Sequence, residues 1–377
     1  MAKNYGVICY GHNSIYVDDY FQNNYKKRKF HVKYSIPGGG VNDETGILLL
    51  IAGYGAQCNS NVYKKMRSEF ADKYNLVTIQ CDYFGYEYMQ AGLEDITVEN
   101  IDLIRLNIST TNENAKRIYS NNKLNVNEFL NTDLKYKNEI IVNSNLHESI
   151  ENFNDMGVMQ ALDNIVATIK VIKYLQRKKL NFNTNKIIIM GNSHGSYLGY
   201  LCNMMSRGLY THLLDNSAWI YPVYCNNIRY LIRTKGNSVL VVKYDYKIRT
   251  ARSPLKGLRI KNLYEKVENK CKIVVYHGEN DSLITAKDKY AAVKDIPNLI
   301  FNLIKKKDID NVIFKSTIHG LDADFPKLFE KFYKSHCNSI FLNSKLNIDS
   351  NIRIPGGFLL DYSSGLPQLI KDNIYNL

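Results

Sequence analysis

The residues with the clearest chemical potential lie in one short segment, 191–195, which reads GNSHG. This G-x-S-x-G pattern follows the apolar run 187–190 and precedes a helix-like stretch at 196–207. Between a strand and a helix, the pattern is typical of a sharp turn that holds a serine hydroxyl clear of the backbone. Gly191 and Gly195 leave room for the neighbouring strand and helix. Ser193 is therefore predicted to be a nucleophile.

A serine hydroxyl needs a base to accept its proton, and the base needs a carboxylate to orient it. His319 follows a strand-like run at 311–315, and Asp281 follows another at 272–276. Ligands of open parallel sheets bind where the carboxyl ends of the strands meet. We therefore expect Ser193, His319 and Asp281 to converge at that edge.

Other assignments stay open at this point. Asp215, in a further strand-like region at 213–221, is an alternative acid, and Glu279 is a lesser one. Asp281 could instead cap the following helix, as short polar side chains do. His194 is interpreted as a pocket wall or a substrate contact and not as the base.

The elements that must position these residues alternate between strand and helix, a pattern that favours a parallel sheet covered by helices. The remaining predicted strands are 14–17, 30–36, 46–51 and 76–81. The predicted helices are 62–73, 155–177, 196–207, 286–293 and 324–336.

Two segments interrupt the alternation, and each is too long to be a structureless loop in a compact domain. We predict a core made of residues 1–86, 152–222 and 270–345, a cap subdomain at 87–151 that is helical near 101–105 and 114–120, and a second insertion at 223–269. The tail, 346–377, carries apolar residues that we expect to pack on the core.

The ordered serine, acid and histidine resemble those of the α/β-hydrolase superfamily over residues 44–340 without the insertions. The resemblance implies an α/β-hydrolase fold: a mostly parallel central sheet flanked by helices, with inserted cap elements. It also implies Asp281 as the acid, since residues 278–281 read G-x-x-D, and oxyanion contacts from the backbone N–H groups of Tyr54 and His194. Where the family usually reads His-Gly, residues 52–53 read Ala-Gly, so the first oxyanion donor stays open.

The implied activity is cleavage of an ester or thioester through an acyl-enzyme, without a metal or cofactor. The alternatives are an O-acyltransferase with the same triad, a non-catalytic binding protein of this fold and, less favoured, a peptidase. A weaker resemblance to a bacterial group associated with surface-glycan gene clusters favours a carbohydrate-linked acyl group.

The composition of the chain limits the classes of partner that we expect. The net charge is +13, but lysine is spread along the chain and no nucleic-acid motif accompanies it, so nucleic acid is not expected. The positive field favours an anionic small-molecule or glycan substrate. The seven cysteines are scattered, with no zinc-type spacing. Reduced thiols, no secretory leader and no apolar run of about 18 residues predict a cytoplasmic protein without a membrane span. The oligomeric state is not predicted.

Overall fold

A computed structural model of the chain describes residues 1–16, 28–90, 92–250, 255–265, 267–337, 346–355 and 357–371. The chain forms two compact units. The first comprises Met1–Tyr86, Asp155–Pro222 and Arg252–Leu377, and the second comprises Glu87–Asn154 and Val223–Ala251. Each unit is thus assembled from segments that are separate in the sequence.

The strands are numbered in chain order: β1 (Lys3–Tyr10), β2 (Lys29–Ile36), β3 (Gly46–Ile51), β4 (Leu76–Cys81), β5 (Ile96–Ile101), β6 (Tyr119–Ser120), β7 (Lys123–Leu124), β8 (Asn138–Ser144), β9 (Ile187–Asn192), β10 (His212–Asn216), β11 (Arg229–Lys235), β12 (Ser238–Tyr244), β13 (Lys272–Gly278), β14 (Leu299–Ile304), β15 (Asn351–Ile354), β16 (Phe358–Asp361) and β17 (Gln368–Lys371).

The α-helices are α1 (Asn61–Tyr74), α2 (Leu103–Ser109), α3 (Asn112–Ile118), α4 (Val126–Asn131), α5 (Val158–Arg177), α6 (His194–Met205), α7 (Ile260–Tyr264), α8 (Ala286–Val293) and α9 (Phe325–His336). None of the helices in the described ranges is both long enough and apolar enough to cross a bilayer.

The first unit is organised around an eight-stranded sheet with the order β1-β2-β4-β3-β9-β10-β13-β14. Strands β1, β2 and β4 pair antiparallel, and the pairs from β4 to β14 are parallel. The α/β-hydrolase fold is defined by antiparallel strands at the start, a reversed spatial order of β3 and β4, and then parallel strands in the order of the sequence. The fold predicted from the sequence is confirmed.

The central strands are mostly apolar because helices cover both faces of a parallel sheet. All six residues of β3 and all six of β4 are buried. On one face the core joins α1 and α9, where the rings of Phe70 and Phe329 stack with centroids 4.7 Å apart. This packing fixes β3 and β9 in the middle of the sheet, next to the predicted nucleophile.

One strand prediction is wrong. The last strand of the sheet is β14, and the apolar run at 311–315 is a loop. The Asp310 carboxylate accepts hydrogen bonds from the backbone N–H groups of Val312, Ile313 and Phe314 at 2.7–3.0 Å. An acidic side chain that binds the following backbone in this way competes with strand pairing.

Other boundaries differ by a few residues. The first strand is β1, whereas residues 14–16 form no strand and residue 17 lies outside the described ranges. Strand β10 ends at Asn216, since Ser217 has a left-handed φ of 56° and turns the chain away from the sheet. Helix α5 begins three residues later than predicted, and α6 begins directly after Ser193.

In the second unit, strands from both inserted segments form one sheet with the order β11-β12-β8-β5. Strands β8 and β12 pair in parallel, and the two outer pairs are antiparallel. The helices near the predicted positions are α2 and α3, and residue 101 belongs to β5. In the first unit, the tail strands β15–β17 form a small antiparallel sheet, and the Tyr362 hydroxyl donates to the carbonyl of Met205 at 2.6 Å.

Candidate active site

Ser193 lies on the turn between β9 and α6 with φ 53° and ψ −119°. A residue with a side chain in this region of backbone space costs about 1–3 kcal/mol and persists only where its surroundings hold it. Its N–H donates to the carbonyl of Asn216 at 2.8 Å, and its carbonyl accepts the Tyr197 N–H at 3.1 Å. The sharp turn predicted from the G-x-S-x-G pattern is present.

The turn at residues 191–195, here called the elbow, contains two glycines that lie where no side chain fits. A Cβ on Gly195 would overlap the carbonyl oxygens of Ile51 and Ala52 at the end of β3. A Cβ on Gly191 would overlap the backbone of Ser196. The first turn of α6 therefore lies against the end of β3.

The structure brings together the three side chains predicted as a triad. The Ser193 hydroxyl oxygen lies 2.7 Å from Nε2 of His319, and Nδ1 of His319 lies 2.7 Å from a carboxylate oxygen of Asp281. The Asp281 side chain is fully buried, whereas His319 is 24% exposed. The histidine thus joins a buried carboxylate to a hydroxyl at the surface of the first unit.

The surroundings of Asp281 keep it ionised. Burial alone raises the pKa of this carboxyl, but the hydrogen bonds from His319 and from the backbone N–H of Ile284 bring the pKa below its usual value. Its second oxygen accepts the Leu283 and Ile284 N–H groups at 2.9 and 3.0 Å. An anionic Asp281 accepts the Nδ1 proton of His319, an arrangement that leaves Nε2 to accept the serine proton.

The loops that carry the acid and the base are tied together. The backbone N–H of Asn280 donates to the carbonyl of Thr317 at 3.0 Å, and its side-chain amide donates to the Thr317 hydroxyl at 2.8 Å. These bonds explain how a loop without the predicted 311–315 strand still presents His319 to Asp281.

The alternative acids have other partners. Asp215 is fully buried and forms an ion pair with Lys289 at 2.6 Å. It also accepts hydrogen bonds from the Tyr200 hydroxyl at 2.8 Å and the Ala218 N–H at 2.7 Å. Glu279 accepts a backbone N–H at 2.7 Å. The structure places Asp281 against His319 and engages Asp215 elsewhere.

A pair of asparagines beside the elbow was not predicted from the sequence. Asn192 and Asn216 are cross-strand neighbours at the ends of β9 and β10. The Asn216 amide nitrogen donates to the Asn192 side-chain oxygen at 3.0 Å and to the carbonyl of Gly320 at 3.2 Å. Since both partners are acceptors, the amide orientation is unambiguous. Asn216 therefore links the nucleophile turn to the residue next to His319. Its position at a strand end was the available signal.

The predicted oxyanion donors differ in how the structure supports them. His194 is the first residue of α6, and the first N–H groups of a helix have no partner within it and carry partial positive charge. The backbone of Gly53 donates to the Tyr63 hydroxyl, so this N–H is already used. A Cβ on Gly53 would lie 3.1 Å from the carbonyl oxygen of Asn192, which puts the Tyr54 turn beside the elbow.

The His194 side chain is neither a base nor a wall open to substrate. It is fully buried, and Nε2 lies 2.7 Å from the Gln160 amide oxygen. Burial lowers the pKa of His194 to about 3, so the ring is neutral. Its ring packs 4.7 Å from Trp219 and 5.7 Å from Tyr54, centroid to centroid.

No group of three side chains suited to a metal ion occurs among the described residues. All seven cysteines lie in the described ranges as buried free thiols.

Residues 23–232, more than half of the chain, match the sequence family described as Protein of unknown function (DUF2920). The chain belongs to this family. The match of this DUF2920 protein spans β2 to β11 and includes Ser193. No curated protein matches its sequence.

Among solved structures, this DUF2920 protein is similar to Est1E from Butyrivibrio proteoclasticus with bound ferulic acid (13% identity, 81% of this chain, 94% of that chain, TM-score 0.44). It is also similar to acetyl xylan esterase 1 from Thermoanaerobacterium sp. (13% identity, 81% of this chain, 78% of that chain, TM-score 0.43). A third similar structure is an acylaminoacyl peptidase from Pyrococcus horikoshii (11% identity, 92% of this chain, TM-score 0.49). The match covers 43% of that chain, which is less than half of its length. At these scores the likenesses say nothing about its activity.

Proposed function

We propose that the protein is a serine hydrolase that cleaves an ester or thioester through a covalent acyl-enzyme. The observation that carries the proposal is the continuous hydrogen-bonded chain from Ser193 through His319 to the buried Asp281, with both links at 2.7 Å. A nucleophile, an adjacent base and an orienting carboxylate in this order are the arrangement that activates a serine hydroxyl.

In the first half of the reaction, the Ser193 oxygen attacks the carbonyl carbon while its proton passes to Nε2 of His319. Asp281 stabilises the imidazolium that forms. The charge on the carbonyl oxygen is met by the His194 N–H at the start of α6, with Tyr54 as the predicted second donor. The carbon–oxygen or carbon–sulfur bond then breaks, and His319 returns the proton to the leaving alcohol or thiol.

In the second half, a water molecule attacks the acyl-serine and His319 takes the water proton. Collapse of the second tetrahedral species releases the carboxylic acid and restores the Ser193 hydroxyl. If a sugar hydroxyl takes the place of water, the same steps transfer the acyl group. Hydrolysis and transfer therefore differ only in the acceptor.

Labelling with a fluorophosphonate probe and turnover of short-chain p-nitrophenyl esters test the proposal. We expect the wild type to be labelled and Ser193→Ala to be inert. Asp281→Asn should lower kcat by about 10⁴, as loss of the orienting carboxylate does in other triads. Glu279→Gln is the matched control, since it removes a carboxylate from the same loop that does not touch His319, and it should keep its activity.

A folded wild type that is neither labelled nor active would instead support the non-catalytic binding role. Mass spectrometry of acetylated oligosaccharides mixed with the enzyme tests the carbohydrate preference and the acceptor together. Free acid indicates hydrolysis, and a new acylated sugar indicates transfer. This assay therefore tests whether the acyl group is carbohydrate-linked.

A further inference from the structure

A second candidate binding site lies in the first unit, at the C-terminal half of α5. A cavity of about 390 Å³ is lined by the helix residues Lys170, Lys173, Gln176 and Arg177. Leu366, in the turn between β16 and β17, lines it from the other side. Residues of the nucleophile turn and its partner loops take no part in it.

Three of the five residues that line this open groove are cationic. Lys170, Lys173 and Arg177 are spaced i, i+3 and i+7, which places them on one face of the helix. Within the described ranges, none of the three pairs with a carboxylate. The Lys173 ammonium donates only to a backbone carbonyl, that of Ser364, at 3.3 Å.

The crowding of like charges has an electrostatic cost. Partial burial lowers the pKa of Lys173, and the positive charges of Lys170 and Arg177 lower it further. Like charges one turn apart on a helix destabilise it. A bound anion would relieve this repulsion.

The attraction of cations to a helix C-terminus explains only part of the cluster. That attraction fades within the last turn of a helix. Arg177 is the last residue of α5, but Lys170 lies seven residues earlier, about two turns away. The helix end therefore accounts for Arg177 but not for Lys170 or for Lys173, whose ammonium contacts the Ser364 carbonyl.

We propose that this cavity binds a diphosphate-bearing anion. The guanidinium of Arg177 presents a fork that matches phosphate oxygens, and two ammonium groups and the Gln176 amide add donors. From Lys170 to Arg177 the helix rises about 10 Å, enough to contact two linked phosphates.

The site is separate from the candidate active site. Gln160, near the start of α5, contacts His194 next to the nucleophile. Lys170 and Arg177 lie 10 and 17 residues further along the helix, about 15–25 Å away. The proposal is consequently independent of the proposed hydrolase activity.

Calorimetric titration with inorganic pyrophosphate at physiological ionic strength, where surface charges are screened beyond about 8 Å, tests the proposal. We expect the wild type to bind it, and the double variant Lys170→Gln/Lys173→Gln to bind at least about tenfold more weakly, since charge-assisted bonds are lost. The control is Lys178→Gln/Lys179→Gln, which removes the same charge from two exposed residues just beyond the cavity. The control should bind within about twofold of the wild type.

Thermal melting without ligand shows that the variants are folded, and we expect the cavity variant to be at least as stable as the wild type because repulsion is removed. Orthophosphate should bind more weakly than pyrophosphate. No binding by the wild type, equal losses in both double variants, unchanged affinity in the cavity variant, or equal affinity for the two anions would each overturn the proposal.

Discussion

The amide bridge at Asn216 gives the sharpest prediction on the candidate site. In Asn216→Leu, the side chain keeps a similar volume, and the backbone bonds of residue 216 to the elbow remain possible. What is lost is the amide nitrogen that joins Asn192 to the carbonyl of Gly320, next to His319. The amide oxygen of Asn216 has no partner among the described residues, so its removal costs little.

The size of the effect follows from those two bonds. Each contributes about 0.5–1.5 kcal/mol net, so we expect the variant to lose about 1–3 kcal/mol of stability. If that energy orients His319 toward Ser193, losing it raises the activation barrier, and each 1.36 kcal/mol is about tenfold in rate. We therefore expect kcat to fall about 10- to 100-fold with little change in KM, because the Asn216 side chain is fully buried and does not face a substrate.

Ester turnover gives kcat and KM. The rate of fluorophosphonate inactivation measures the reactivity of the Ser193–His319 pair in a reaction that has no alcohol leaving group. Asn203→Leu is the matched control. Asn203 is a buried asparagine of α6 whose amide nitrogen also makes two side-chain bonds, to Tyr264 and Asn269, both at 2.9 Å. It should lose similar stability and keep kcat. Equal kcat in the two variants, at a temperature where both are folded, would refute the bridging role.

Further predictions concern stability. Gly195→Ala should give little folded protein, seen as lost soluble yield, because its Cβ would overlap the carbonyl of Ile51. Lys289→Met leaves Asp215 as a buried unpaired charge and should cost about 3–5 kcal/mol in urea unfolding, with a smaller loss when Asp215→Asn is added. Burial lowers the pKa of His212 from 6.5 to about 4, so its stabilising effect is complete above pH 6.5 and is lost as pH falls toward 4. At 1.36 kcal/mol per unit that amounts to about 3 kcal/mol. His212→Gln should show a correspondingly smaller loss of stability between pH 7 and 4, and an unchanged loss would contradict this reasoning.

The nucleophile turn could be predicted because its requirements are local. Gly191 and Gly195 flank Ser193 in the sequence, and the steric reason for each lies within a few residues or in the adjacent strand. The central sheet could also be predicted, since strands buried on both faces appear in the sequence as apolar runs. Signals of this kind need no knowledge of distant contacts.

The last strand could not be predicted by the same reasoning. Residues 311–315 are more apolar than their surroundings, yet the three backbone N–H groups bound by Asp310 remove them from the sheet. The strand that replaces them, β14, is only partly buried at the edge. The competition between a side-chain cap and strand pairing is decided by energies that an apolar pattern does not contain.

The choice between two acids shows where sequence reasoning ends. Asp215 lies near the end of β10 and Asp281 follows β13, at the same edge of the sheet, and only the G-x-x-D pattern at 278–281 favoured Asp281 in the sequence. The deciding residue is Lys289, 74 positions beyond Asp215, whose buried ammonium engages that carboxylate. A carboxylate that already neutralises a buried lysine gains little by also supporting an imidazolium, and Lys289 would repel that second cation. Asp281 is hydrogen-bonded to His319 instead, and we infer that the direct ion pair with Lys289 disfavours Asp215 as the acid.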